Sequence, residues 1–115
     1  MSGSTSLCEA LVRHARDIVT VVGEDGIVRY VNDASWAVLG ADPAEAPGRA
    51  ALSYVHPDDV AQAADRRRWL MQGPGRHGTT LLRVRAGNGW RHVETTGVNL
   101  LHDPDVRGIL YITRD

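Results

Sequence analysis

The chain contains no lysine and no phenylalanine, and a single cysteine, Cys8, among its 115 residues. One cysteine excludes an internal disulfide and leaves a cysteine-based zinc site without its ligands. No apolar run exceeds a few residues, so no segment is long enough to span a bilayer as a helix. Met1 to Ser6 lacks the basic start and apolar core of a signal peptide. Charge of one sign is missing too: 13 basic residues, all arginine, face 14 acidic ones, for a net charge of -1. That balance gives no support for nucleic acid or an anionic membrane surface as the partner. Together these absences point to a cytoplasmic domain.

What is present suits one globular domain. Hydrophobic residues make up 43% and charged residues 23% of the chain, an ordinary globular balance. A chain of this length buries roughly two-thirds of its unfolded surface, enough for a single core. The small polar stretch 1–6 reads as a disordered leader. Over 7–16, Leu7, Ala10, Leu11 and Ala15 fall on one helical face and predict an amphipathic flanking helix. The domain proper occupies 17–115.

Two strands, Ile18 to Val22 and Ile27 to Val31, flank the turn Glu24-Asp25-Gly26 and predict a hairpin. Asn32 or Asp33 can cap a short helix that Gly40 stops. Two prolines divide Ala41 to Val55 into helical turns. Pro57 suits a first helical position and Asp58 and Asp59 suit the positive helix end, so a long helix is expected to run from there to about Gln72. Three strands follow: Thr79 to Ala86, then Trp90 to Leu101 after an Asn88-Gly89 hairpin signal, and Val106 to Thr113. Grouped strands and grouped helices argue for an α+β fold. The expected architecture is a five-stranded antiparallel sheet, with short helices and one long helix on one face and the N-terminal helix flanking it. Ile109-Leu110-Tyr111-Ile112 is apolar at every position, which implies that both faces of the sheet are covered there.

With these residues in order, the chain resembles the PAS domain, the small sensor module of bacterial signalling proteins. The resemblance rests on Asp17-Ile18-Val19-Thr20-Val21-Val22, Glu24-Asp25-Gly26, Tyr30-Val31-Asn32, Leu39-Gly40 and Gly48-Arg49. It continues through His56-Pro57-Asp58-Asp59, Gly89-Trp90-Arg91-His92-Val93-Glu94, Asn99 to Pro104, and Val106-Arg107-Gly108 to the end. The resemblance implies regulatory sensing or protein interaction rather than catalysis. Such domains are coupled to an output domain: a diguanylate cyclase, histidine kinase, phosphatase or DNA-binding module. Thr113-Arg114-Asp115 lies where relatives continue into an output linker, so a piece of a longer protein is expected. Relatives that bind haem carry the ligand histidine on the long helix, where Gln62 to Gln72 has none. The light-sensing subgroup needs a cysteine after the short helices, whereas Cys8 precedes them. Neither haem nor flavin is therefore expected as a cofactor.

Most motifs have plain readings. Imidazole and carboxylates at His56-Pro57-Asp58-Asp59 are metal-ligand types, yet helix capping accounts for each residue, and no metal site is assigned. Arg66-Arg67-Arg68 beside Asp65 reads as a solvated helix face. Arg67 is the exception, because helical spacing places it in the gap of the apolar stripe Val60, Ala63, Ala64, Leu70 and Met71. A guanidinium there must snorkel, pair with a carboxylate, or meet an anionic ligand. The expected ligand pocket for a small carboxylate comprises Trp36, Ala51, Leu52, Val60, Ala63 and Arg67. Trp36 is expected in the core, and Trp69 falls off the apolar stripe, at a surface or interface. Leu7, Leu11, Trp90, Tyr111 and Asp115 form the expected dimer and signalling surface of a homodimer. No nucleophile–base pair, phosphate loop or metal spacing marks a catalytic residue. The competing reading is an interaction domain that binds no small ligand.

Overall fold

A computed structural model describes residues 15–115. The leader and all of the predicted flanking helix except Ala15 and Arg16, and with them Leu7, Cys8 and Leu11, lie outside the described residues. Ala15 and Arg16 are not helical.

Strands β1 (Ile18–Val22) and β2 (Val28–Val31) open the chain. Gly26 turns between them at a φ of 81°, a left-handed conformation that glycine adopts without steric penalty. Asn32 holds the open end of this hairpin. It is fully buried, its Oδ1 accepts from the Val19 N–H at 2.9 Å, and its Nδ2 donates to the Asp17 carbonyl at 3.1 Å. Asn32 thus extends the sheet instead of capping the next helix. Asp33 takes the cap position of α1 (Ala34–Leu39) without a side-chain bond, and Gly40 ends the helix at a φ of 65°.

Three 3-10 turns follow, Pro43–Glu45, Ala51–Tyr54 and Pro57–Asp59, the last running directly into α2 (Val60–Met71). Then come β3 (His77–Ala86), β4 (Gly89–Leu100) and β5 (Gly108–Arg114). Ala86 pairs with Gly89, so the β3–β4 turn is Gly87-Asn88, one residue earlier than the Asn88-Gly89 signal predicts. Only Gly87 has a positive φ there, as a two-residue turn with glycine at its first central position requires.

The five strands form one antiparallel sheet in the order β2-β1-β5-β4-β3. The last strand therefore sits at the centre, between β1 and β4. Alternation assigns the faces. Ile18, Val22, Leu82, Val93 and Ile109 are buried on the helix side and join Leu70 of α2 in the core. Leu110 and Ile112 occupy the opposite face, half-buried, paired with Val21 and Val19. No helix among the described residues is long and apolar enough to cross a membrane.

Candidate functional site

Helix α2 is pinned to the sheet at both ends. At its start, His56 Nδ1 accepts the Asp58 N–H at 3.1 Å, as a helix cap does. Asp59 turns to β3 and takes three bonds from Arg83: from Nε and Nη2, each at 2.9 Å, and from the backbone N–H at 2.9 Å. Those Arg83 bonds hold the Asp59 carboxyl down at about 2, below its ordinary 3.8, because each favours the charged form. At the other end, Asn99 Nδ2 donates to the carbonyls of Leu70 at 2.7 Å and Gly73 at 2.9 Å. Leu70 lies in the last turn of α2, whose carbonyls lack i+4 partners within the helix, and Gly73 lies just beyond it.

The middle of α2 is different. Arg67 reaches back to the β1–β2 turn, where its Nη2 donates to the Glu24 carbonyl. Its guanidinium lies against Gly26, and a Cβ there would stand 3.4 Å from Arg67 Cζ. Its Nε is sealed from solvent and has no hydrogen-bond partner among the described residues. Tyr111 shares this space. Burial pushes its hydroxyl pKa above the ordinary value, and the positive charge of Arg67 opposes the rise. Gly97 makes the close packing possible, since a Cβ on it would meet Leu70 Cδ1 at 2.6 Å and Tyr111 Cε1 at 2.9 Å.

The arginine run accordingly divides three ways. Arg66 donates to Thr80 Oγ1 at 3.3 Å and lies 5.3 Å from the Trp69 ring centre. Arg67 points inward, and Arg68 forms an exposed pair with Asp65.

Of the expected pocket residues, Val60, Ala63 and Arg67 lie half-buried on α2, against which the turn carrying Ala51 and Leu52 packs. Trp36 does not belong to a core: it is 55% exposed, because the six-residue helix α1 buries Ala34 and Ser35 and turns the next side chain away. Tyr111, expected on the dimer and signalling surface, is half-buried and faces α2 together with Ile109. Trp90 packs its ring 4.6 Å from His56, with Arg85 lying 5.0 Å above it. Asp115 pairs with Arg91 at 3.3 Å, and Arg114 with Asp17 at 3.0 Å, so the end of β5 is tied to β4 and to the start of β1. Sequence spacing missed the Asp59–Arg83 pair. Its one trace was a second acid at the helix start, beyond the one a cap needs.

A second feature lies outside the core. An open groove of about 720 Å³ runs between α2 and β3, lined by Asp58, Gln62, Asp65, Arg66, Trp69 and Leu81 among others. It contains none of the expected pocket residues. No three histidine, cysteine or carboxylate side chains gather to hold a metal ion among the described residues.

The strand order and helix placement recur in solved structures. A PAS domain from Colwellia psychrerythraea superposes with a TM-score of 0.83 at 18% identity, covering 97% of this chain and 96% of that one. A PAS domain of an HTR-like protein from Haloarcula marismortui gives 0.79 at 22% identity, over 99% and 93%. A domain of a sensory box sensor histidine kinase/response regulator from Geobacter sulfurreducens gives 0.78 at 26% identity, over 97% and 94%. Comparison with curated proteins gives no match. The sequence pattern of the family described as PAS fold matches residues 12–115. Because that pattern spans nearly the whole sequence and the sheet order agrees with it, the chain belongs to the PAS fold family.

Proposed function

We propose that this PAS domain is a regulatory sensor that takes a small carboxylate at Arg67 and relays its binding to an output domain joined beyond β5. The single observation that carries this reading is the sealed Nε of Arg67, which has no hydrogen-bond partner among the described residues. A half-buried guanidinium bonded, among the described residues, to one carbonyl leaves donors without acceptors there, and a carboxylate supplies two in matching geometry. Tyr111 stands beside Arg67 on the central strand, and β5 ends in the Arg114–Asp17 and Arg91–Asp115 pairs. A ligand that binds Arg67 more tightly in one of two arrangements of α2 and β5 would therefore shift those pairs. The related Geobacter sulfurreducens domain comes from a sensor histidine kinase/response regulator, which favours a kinase-type output over a cyclase, phosphatase or DNA-binding one. The domain works as a cytoplasmic homodimer in this reading, and no residue is assigned a catalytic role.

Native mass spectrometry of the freshly purified domain tests the reading, followed by thermal shift against a series of short-chain carboxylates. The expected result is a retained mass or a raised midpoint with wild type that Arg67→Leu abolishes. Carboxylate affinity unchanged in Arg67→Leu, or no carboxylate binding at all, would sink it. A second reading, an interaction domain with no small ligand, draws support from the open groove beside β3 and the exposed Leu81 within it.

A further inference from the structure

The turn that leads into α2 is capped by a group that a single proton disables. His56 Nδ1 accepts the Asp58 N–H at 3.1 Å. Backbone bonds fix the residue itself: its N–H donates to the Arg83 carbonyl at 2.9 Å, and its carbonyl accepts from Asp59 at 2.8 Å. Helix caps are ordinarily the side-chain oxygens of serine, threonine, aspartate or asparagine, which accept throughout the neutral range. An imidazole nitrogen accepts only while it carries no proton. With Nδ1 as the acceptor, the neutral ring holds its hydrogen on Nε2. The proton that charges the ring then goes to Nδ1, directly against the Asp58 donor.

A receiver for the charged ring is already in place. The exposed Asp58 carboxylate stands 4.0 Å from His56 Nδ1 and 4.0 Å from Arg83 Nη2, so it lies between two cation positions. Asp59 also favours charge on the ring, but its oxygens are taken by Arg83. On β4, Trp90 holds its ring centre 4.6 Å from that of the imidazole, and an indole attracts a cation over its face. Charge on the ring is opposed from β3 by Arg83 and by Arg85, which lies 5.0 Å from the Trp90 ring. The ladder sets the exposed His92 opposite Arg83, and Arg91, paired with Asp115, opposite Val84. The positive end of α2 opposes charge there too.

We propose that His56 is a proton-operated cap, which gives the entry of α2 two arrangements. With a neutral ring, Nδ1 holds the Asp58 N–H. With a charged ring that bond is lost, and Nδ1–H donates instead to the Asp58 carboxylate, which turns from Arg83 to meet it. Asp59 keeps its three Arg83 bonds in both, so α2 stays docked on β3 and the change is confined to the turn Pro57–Asp59. Asp58 also lines the open groove between α2 and β3, so the same proton moves a negative charge on one wall of that groove. The switch needs no ligand at Arg67 and stands apart from the carboxylate reading.

Ring-nitrogen and amide NMR of the whole chain tests this from about pH 8 to about pH 5, the range in which imidazoles titrate. The expected result is a neutral His56 ring with its hydrogen on Nε2, and an Asp58 amide resonance that moves with the ring's own midpoint. Hydrogen-exchange protection at the Asp58 amide is expected to be roughly fivefold lower with the ring charged, the factor that one helix cap supplies. His56→Asn provides a cap that does not titrate, so its Asp58 amide is expected to hold still over the same range. Asp58→Asn removes the receiving carboxylate, and the transition is expected to move to lower pH. A neutral ring with its hydrogen on Nδ1 overturns the proposal, as does an Asp58 amide indifferent to the ring's charge. An amide that still titrates in His56→Asn overturns it as well, and assigns the effect to another group such as His92. A midpoint unmoved in Asp58→Asn overturns the exchange with the carboxylate.

Discussion

The ends of α2 and its middle are held to the sheet by opposite means. At the start, Asp59 and Arg83 satisfy one another through three bonds, and at the end Asn99 satisfies two helix carbonyls. Halfway along, among the described residues, Arg67 has one carbonyl and a sealed nitrogen without a partner. Charge that is matched within the chain locks an element in place. Charge left unmatched marks the position where something else can bias it, because a buried unmade hydrogen bond leaves free energy for a ligand to recover.

The largest effect is expected at the locked end. Leu70 is fully buried against Gly97, so Leu70→Ala removes buried methyl groups and leaves a cavity, costing about 2–5 kcal/mol. Urea unfolding with an unchanged slope measures it. A loss well under 1 kcal/mol would mean that α2 is not anchored at that end. The start of the helix is tested with acid. The lowered pKa of Asp59 means that its contribution is fully present above the ordinary 3.8 and is lost as the pH falls towards about 2. Asp59→Asn is therefore expected to flatten the stability–pH curve within that window and nowhere else. An unaltered acid limb would show that Arg83 does not hold the carboxylate.

The middle should respond with the opposite sign and the smallest size. Arg67→Leu replaces a partly satisfied, half-buried charge with an aliphatic side chain of fitting length, a change expected to stabilise by about 1 kcal/mol. It also removes the positive charge that opposes the raised Tyr111 pKa, so an ultraviolet titration should place that hydroxyl higher still. Destabilisation in this variant, with Tyr111 unmoved, would mean that Arg67 is as firmly built in as Asp59, and the distinction between ends and middle would fall.

Residues whose conformation depends on near neighbours were legible in advance. Gly26 and Gly40 end their elements in left-handed conformations, Pro57 opens the helical stretch, and alternation in β3 places Leu82 inward. Arg67 stood out because a charge in an apolar helical stripe is visible from spacing alone. Between Asn32 and Asp33 as the cap, spacing could not choose, because a cap and a strand staple demand the same kind of residue at the same spot, and only the position of β1 decides that Asn32 is the staple. Trp36 was misplaced because a six-residue helix that is apolar everywhere but Ser35 has no period to orient its side chains. The face that Tyr111 takes was not legible, because an unbroken apolar run carries no alternation to say which residues face inward.

The sequence by itself determined the kind and order of the described elements, the hairpins, the α+β class and the one odd arginine, because turn chemistry and periodicity act across a few residues. Only the tertiary structure decided that Asp59 finds Arg83, that Asn99 closes α2, and that Arg67 meets the Glu24 carbonyl and Tyr111. Those outcomes depend on which distant atoms the order β2-β1-β5-β4-β3 brings within hydrogen-bonding distance.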